Sequence, residues 1–311
     1  MAGTRHRLII LAVIGLMMLP SAFADTEIGG AIATLSNGGD QGIRGMGAET
    51  LKQLGSELKG AVGAPAQGPW TQVAATTYCN SSRPGGVDAD VSCTSEWLVC
   101  NPAGVAAADP LGPAVNVWTR LVNEAGQPVD GANQVIAGDG WQLVGFTCLP
   151  NLVPGAAAAL TMADIVRQFH DTKFAVPQVS VQPVGGTTLV NLPTYFELVW
   201  PGTGFAPGGV DTTTLVGHQV RIRPTLVHAE YFFGDGASSG ATLSLGGPYP
   251  TGDIVHTYST SGSVQVQVDV TYGGQFSVDG GEWIEVPGTA VVTGTAFPLR
   301  VAEARARLYS N

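Results

Sequence analysis

The run Val264-Gln265-Val266-Gln267-Val268-Asp269-Val270 constrains this chain more than any other stretch. A helix would scatter the four valines around its circumference, whereas a strand sets them all on one face. β-Branched side chains also favour the extended backbone. The run therefore predicts a strand with one buried and one wet face, which requires a second layer to cover the valines. Composition agrees: 43 Gly and 20 Pro break helices, and only 12% of the residues are charged. The expectation is a mainly β protein with many turns, and 311 residues suffice for two modest domains.

The N-terminus reads as a signal peptide, residues 1–24. Arg5 and Arg7 precede an apolar stretch from Leu8 to Leu19, Pro20 breaks it, and Ala22-Phe23-Ala24 offers a cleavage site. That stretch is short for a membrane span, which needs about 20 residues. Without the signal the chain carries 12 basic and 24 acidic residues, a net charge of −12. Such a surface repels phosphate backbones, which disfavours nucleic acid and anionic membranes as partners. Secretion, with cell-surface association as a variant, is the expected location.

Export fits the cysteines. Cys79, Cys93, Cys100 and Cys148 are even in number and confined to one segment. Three pairings exist, and Cys79–Cys93 with Cys100–Cys148 is the one we favour. A zinc site is the rival reading, but short Cys-x-x-Cys pairs are missing.

Residues 25–70 read as a flexible Gly/Ala-rich arm, interrupted by a short helix with Leu51, Leu54 and Leu58 on one side. Residues 71–150 form the cysteine-containing β module. Its expected strands are Glu96–Cys100, Val115–Val122 and Trp141–Phe146, and Trp97, Trp118 and Trp141 are expected to fill its core rather than form a ligand platform. Residues 151–177 form a linker with one helix, Leu160–Phe169. Thr161 is its N-cap, Asp164 reaches back to the cap amide, and Leu160 and Ile165 clamp the entry.

Residues 178–311 carry the valine run and further strands at 188–192, 194–199, 217–227, 290–295 and 299–308. Asp279-Gly280-Gly281 suits a tight hairpin that would set Phe276 opposite Trp283. Tyr231-Phe232-Phe233-Gly234-Asp235-Gly236, then His256-Thr257-Tyr258, then Ser261-Gly262 before the valine strand follow one order and spacing. This stretch resembles a PKD domain, an immunoglobulin-like module, with Tyr231-Phe232 where the family usually has Trp-Asp. Flanking phrases, among them Gly247-Pro248-Tyr249-Pro250, look like those of exported bacterial proteins that carry the module. The resemblance implies a β-sandwich in which Tyr231, Phe233, Gly234, Asp235, Gly236, His256, Tyr258 and Gly262 are framework. It implies no catalytic residue, no cofactor and no metal. The fold class expected is thus a C-terminal PKD/immunoglobulin-like sandwich, preceded by a small disulfide-stapled β module and a connecting helix.

Motifs for chemistry are scarce. No Gly-x-Ser-x-Gly, His-Glu-x-x-His or phosphate-loop pattern occurs. His170, His218, His228 and His256 form no metal-spaced pair. The Tyr258 hydroxyl is expected to tie backbone across the sandwich. Asp235 is expected to hold its own turn. A calcium site shared with Glu230 or Asp253 is the sharper alternative, though calcium needs six to eight oxygens. Asn80-Ser81-Ser82 is a formal sequon. The functional expectation is a non-enzymatic exported protein that binds protein or polysaccharide at or outside the cell surface. A secreted hydrolase using two of Asp164, Asp171, Asp211, Glu230 and Asp253, or an accessory subunit of one, is the alternative. A component of an envelope assembly is a third.

Overall fold

The computed structural model describes residues 45–62, 64, 66–79, 82–87, 89, 93–101 and 111–304. The signal segment, the first part of the arm, Asn80 and Ser81 of the sequon, and the end of the last expected strand lie outside the described residues. The described residues are mainly β, arranged in three sheets.

The valine run lies in the longest strand, β10 (Gly262–Val278). Val266, Val268 and Val270 are fully buried, while Gln265 is exposed and Gln267 half-buried. Burying each such valine stabilises the fold by about 1.5–3 kcal/mol. On one side β10 pairs antiparallel with β8 (His218–Phe232), which pairs in turn with β7 (Asp211–Leu215). On the other it pairs with β13 (Phe297–Ala302), and β5 (Thr187–Leu189) joins β13 in parallel. The short strands β11 (Ile284–Glu285) and β12 (Ala290–Val292) also pair with β10. A smaller sheet orders β4 (Gln178–Gln182), β6 (Pro193–Val199) and β9 (Val255–Thr257) as 4-6-9. The two sheets share one core, with Val179, Val181, Phe196 and Leu198 against Ile222, Tyr231, Val266, Val268 and Leu299. This is a β-sandwich.

Past Val270 the alternation of β10 ends, because both faces become covered. Val227 is an extra residue of β8 at this point, and the register shifts by one. Helix α3 (Met162–Asp171) then lies on the ribbon. Its Phe169 ring occupies the space a Cβ on Gly274 would need, so that strand position admits no larger residue. Phe174 stacks on Tyr272 with ring centroids 4.7 Å apart, and the Tyr272 hydroxyl donates to the Ala175 carbonyl at 2.7 Å. The Thr161–Asp164 cap forms as its spacing predicts: the Thr161 amide donates to Asp164 Oδ2 at 3.0 Å and the Asp164 amide to Thr161 Oγ1 at 3.3 Å. Leu160, Ile165 and Phe169 all enter the sandwich core, so the expected linker helix is a part of that core.

The cysteine module is a three-stranded antiparallel sheet of β1 (Trp70–Thr77), β2 (Val115–Val122) and β3 (Gln142–Thr147), in that order. Disulfides join Cys79 to Cys93 and Cys100 to Cys148.

Four expectations need correction. Glu96–Cys100 is not a strand but most of a helix, α2 (Thr94–Cys100). Glu96, Trp97 and Cys100 are buried while Leu98 faces out, a helical period that a five-residue apolar run is too short to reveal. Trp97 does not fill its own module; it enters the sandwich core, edge-on to Phe276 at 5.2 Å. Trp118 is buried as expected, but Trp141 is half-exposed beneath the Arg120 guanidinium, 4.5 Å from its ring centre. Residues 45–62 are a packed piece of the supposed arm: α1 (Ala48–Ser56) buries Leu51 completely against Val73, Val115, Val117 and Val153, with Leu54 and Leu58 beside it. Finally, Phe276 faces Ile284, not Trp283. Asp279 and Gly280 both take positive φ, and the Gly281 amide donates to the Val278 carbonyl, as a tight turn requires. One extra residue on the return strand then moves the register by one, which exchanges the faces.

Candidate functional site

The residues of the Phe-Gly-Asp-Gly stretch and of His256-Thr257-Tyr258 meet at one end of the sandwich. The Tyr258 hydroxyl donates to the Phe233 carbonyl at 2.9 Å, tying the end of β8 to the end of β9 and so one sheet to the other. The His256 ring stacks on Phe233 with centroids 4.3 Å apart, and its Nε2 lies 2.7 Å from Asp235 Oδ2. Asp235 Oδ1 accepts from the Ala237 amide at 3.1 Å, closing the turn. Gly234 takes φ +81°, and a Cβ there would strike the Gln265 carbonyl on β10, so only glycine fits. Burial alone would raise the Asp235 carboxyl; the bonds from His256 and Ala237 outweigh it and hold the group below the usual carboxylate range. Burial pushes the Tyr258 phenol up, so it remains a donor. Tyr258, His256 and Asp235 each spend polar atoms on contacts within the chain, which makes this constellation a clasp between the two sheets.

Four of the carboxylates proposed for hydrolysis accept hydrogen bonds from other side chains. Asp164 serves the α3 cap and Arg167, Glu230 accepts from Ser238 at 2.8 Å, and Asp253 accepts from Ser244. Asp211 Oδ2 lies 3.4 Å from Thr172 Oγ1, and Asp171 is exposed. Asp235, Glu230 and Asp253 do not gather to ligand distance; the described cluster of that kind is Cys79, Cys93 and Glu96, whose sulfurs are spent in a disulfide. Of the histidines, His218 Nδ1 sits 2.8 Å from Asp279 Oδ2, and His228 Nε2 sits 3.1 Å from Thr271 Oγ1.

What the sandwich does offer to the outside is an aromatic hollow of about 330 Å³, lined by Gln182, Pro183, Leu192, Pro193, Tyr195 and Tyr249. On β6, Thr194, Phe196 and Leu198 point inward, so alternation turns Tyr195 outward. Tyr249 meets it edge-on, with centroids 5.5 Å apart, and remains 68% exposed. The Tyr249 amide donates to Gln182 Oε1 at 3.0 Å, which fixes the loop at the rim of the hollow. Sequence reasoning placed Tyr195 on a strand and noted Tyr249 between two prolines, but did not join them. The available signal was an aromatic on the outward phase of a strand.

A second cavity, of about 390 Å³, lies between the cysteine module and the sandwich, bounded by β1, Glu96, Trp97, Leu160, His218 and Val278. No helix among the described residues is long and apolar enough to cross a membrane. Neither a protein-family model nor a curated protein matches the sequence.

Proposed function

We propose that this chain is an exported, non-enzymatic binding protein whose sandwich is a PKD-like module, and that its partner is a protein met at or outside the cell surface. The observation that carries this reading is the Tyr195–Tyr249 hollow. Exposed tyrosines supply large amphipathic contact area at low entropic cost, and they are enriched where proteins meet. The two disulfides suit an oxidising compartment.

The test is a photo-crosslinking residue placed at position 249 of the protein on intact cells, followed by mass spectrometry of the adducts. A discrete protein adduct that is lost when Tyr195 is changed to Ala supports the reading. Adducts to glycan alone, or none above a control position on β7, would refute it.

A further inference from the structure

The outer face of the larger sheet carries two arginines side by side. Arg221 and Arg223 alternate on β8 with the buried Val220, Ile222 and Pro224, so both point away from the core. Trp283, just ahead of β11, lies against both: its ring centre is 5.0 Å from Cζ of Arg221 and 4.3 Å from Cζ of Arg223. From β10, Ser277 Oγ accepts from Arg221 Nη2 at 2.8 Å, and Gln275 Oε1 accepts from Arg223 Nε at 3.2 Å. These contacts hold two half-buried guanidiniums in fixed positions.

The contacts supply no negative charge, because Ser277, Gln275 and the indole are neutral. Arg83 and Arg167 each meet a carboxylate, at 3.2 and 3.0 Å, but among the described residues none comes within ion-pair distance of Arg221 or Arg223. Two neighbouring positive charges therefore repel each other without a counter-ion, in a chain whose net charge is −12 after signal removal. Donors are left over as well. A guanidinium has more N–H groups than these contacts use. Nη1 of both arginines makes no hydrogen bond among the described residues, and Arg221 Nε is buried without an acceptor there. Fixed, unpaired arginine forks are shaped for the two oxygens of a carboxylate or phosphate.

Glu285 decides between those anions. It pairs in register with Gln275, whose Nε2 donates to Glu285 Oε1 at 2.6 Å. Two arginines and one glutamate leave a single positive charge, which one carboxylate balances and a doubly charged phosphate oversteps. The surround is open sheet: Thr212, opposite Arg221 on β7, is exposed, as is Glu285. A free small acid would be gripped from one side only, so affinity requires a chain laid across the strands. The indole is half-buried and already has two guanidiniums against it. A ligand thus meets the forks before the ring, which favours a side-chain carboxylate over an acidic sugar that would stack on the aromatic face.

We infer that this face binds an acidic segment of a partner protein, with a Glu or Asp carboxylate seated on the free N–H groups of Arg221 and Arg223 beside Trp283. Charge complementarity carries the choice: the rest of so acidic a chain repels such a segment, and this patch attracts it. The inference does not rest on the Tyr195–Tyr249 hollow, which is built on β6 of the other sheet, and the two fail separately.

The experiment uses the chain without residues 1–24, labelled with ¹⁵N at arginine, and an oligo-glutamate peptide as probe. The Nε–H signals of Arg221 and Arg223 should move on titration, while that of Arg167, already paired with Asp164, stays in place. Binding should weaken several-fold as salt is raised to physiological strength, and oligo-glutamine of equal length should move neither signal. Arg221→Gln combined with Arg223→Gln should weaken binding by about tenfold or more. Glu285→Gln removes the competing negative charge but keeps an acceptor for Gln275, and should tighten binding several-fold; this arm stands even if the double variant unfolds. Tyr249→Ala should leave binding unchanged. No movement of the two signals with oligo-glutamate, equal movement with oligo-glutamine, no tightening in Glu285→Gln, or stronger binding of oligo-galacturonate or a phosphoserine peptide would each overturn the inference.

Discussion

The two β regions solve the same packing problem at different scales. The sandwich has one continuous core that includes six fully buried large aromatics, Phe169, Phe196, Tyr231, Tyr258, Tyr272 and Phe276, and it holds no disulfide. The cysteine module divides its apolar residues into two small clusters, one around Leu51, Val73 and Val117, the other around Cys100, Phe146 and Cys148. A core that small gains little from burial, and cross-links restore the balance by restricting the unfolded chain. It also exports its largest apolar residue of α2: Trp97 is buried in the neighbour's core, not its own. The lesson is that the smaller region is stabilised by attachment, through sulfur internally and through one indole externally.

The strongest way to break this comparison is Trp97→Ala. It should cost about 3–5 kcal/mol and lower the denaturation midpoints of both regions together, read by chemical unfolding with region-resolved hydrogen exchange. If only the cysteine module softens, the indole does not couple them. Replacing Cys100 and Cys148 by Ala should cost about 2–5 kcal/mol, and the loss should stay within β1–β3, leaving β10 exchange unchanged. Tyr258→Phe strands the Phe233 carbonyl and should cost the sandwich about 1–3 kcal/mol, visible as a shift in thermal midpoint with no effect on the disulfide region.

Acid should act on the sandwich side. Asp235, Asp279 and Asp164 are each pushed up by burial but pulled further down by hydrogen bonds, from His256, His218 and Thr161 respectively, so all three folded values lie below the ordinary one. Their stabilising contributions are complete above the unfolded carboxylate range and fade as pH falls through the lower folded values. Asp235→Asn should therefore flatten the acid limb of the stability curve. An unchanged slope would show that the His256 contact contributes nothing.

Several features were legible in the chain as written. The valine alternation fixed the strand and its buried face. Thr161 and Asp164 fixed the start of α3. The cysteine pairing we favour is the pairing found. Asp279-Gly280 fixed a tight turn because both residues tolerate positive φ. The period, the cap and the turn are local signals, each decided within a few residues. The same locality explains the errors. The period of Glu96–Cys100 was too short to separate helix from strand, and one bulged residue beyond the turn changed the partner of Phe276.

What tertiary structure alone decided is which surface each buried face meets. The pattern of Leu51, Leu54 and Leu58 announces an apolar stripe, but not that the stripe docks on β1 and β2 of its own chain. Trp97 announces burial, but not in which core. Tyr195 and Tyr249 become one hollow only once distant segments are brought together. Periodicity records how much of an element leaves water. It carries no information about what replaces the water, because hydrophobic burial is non-directional and the partner is chosen by shape over the whole fold.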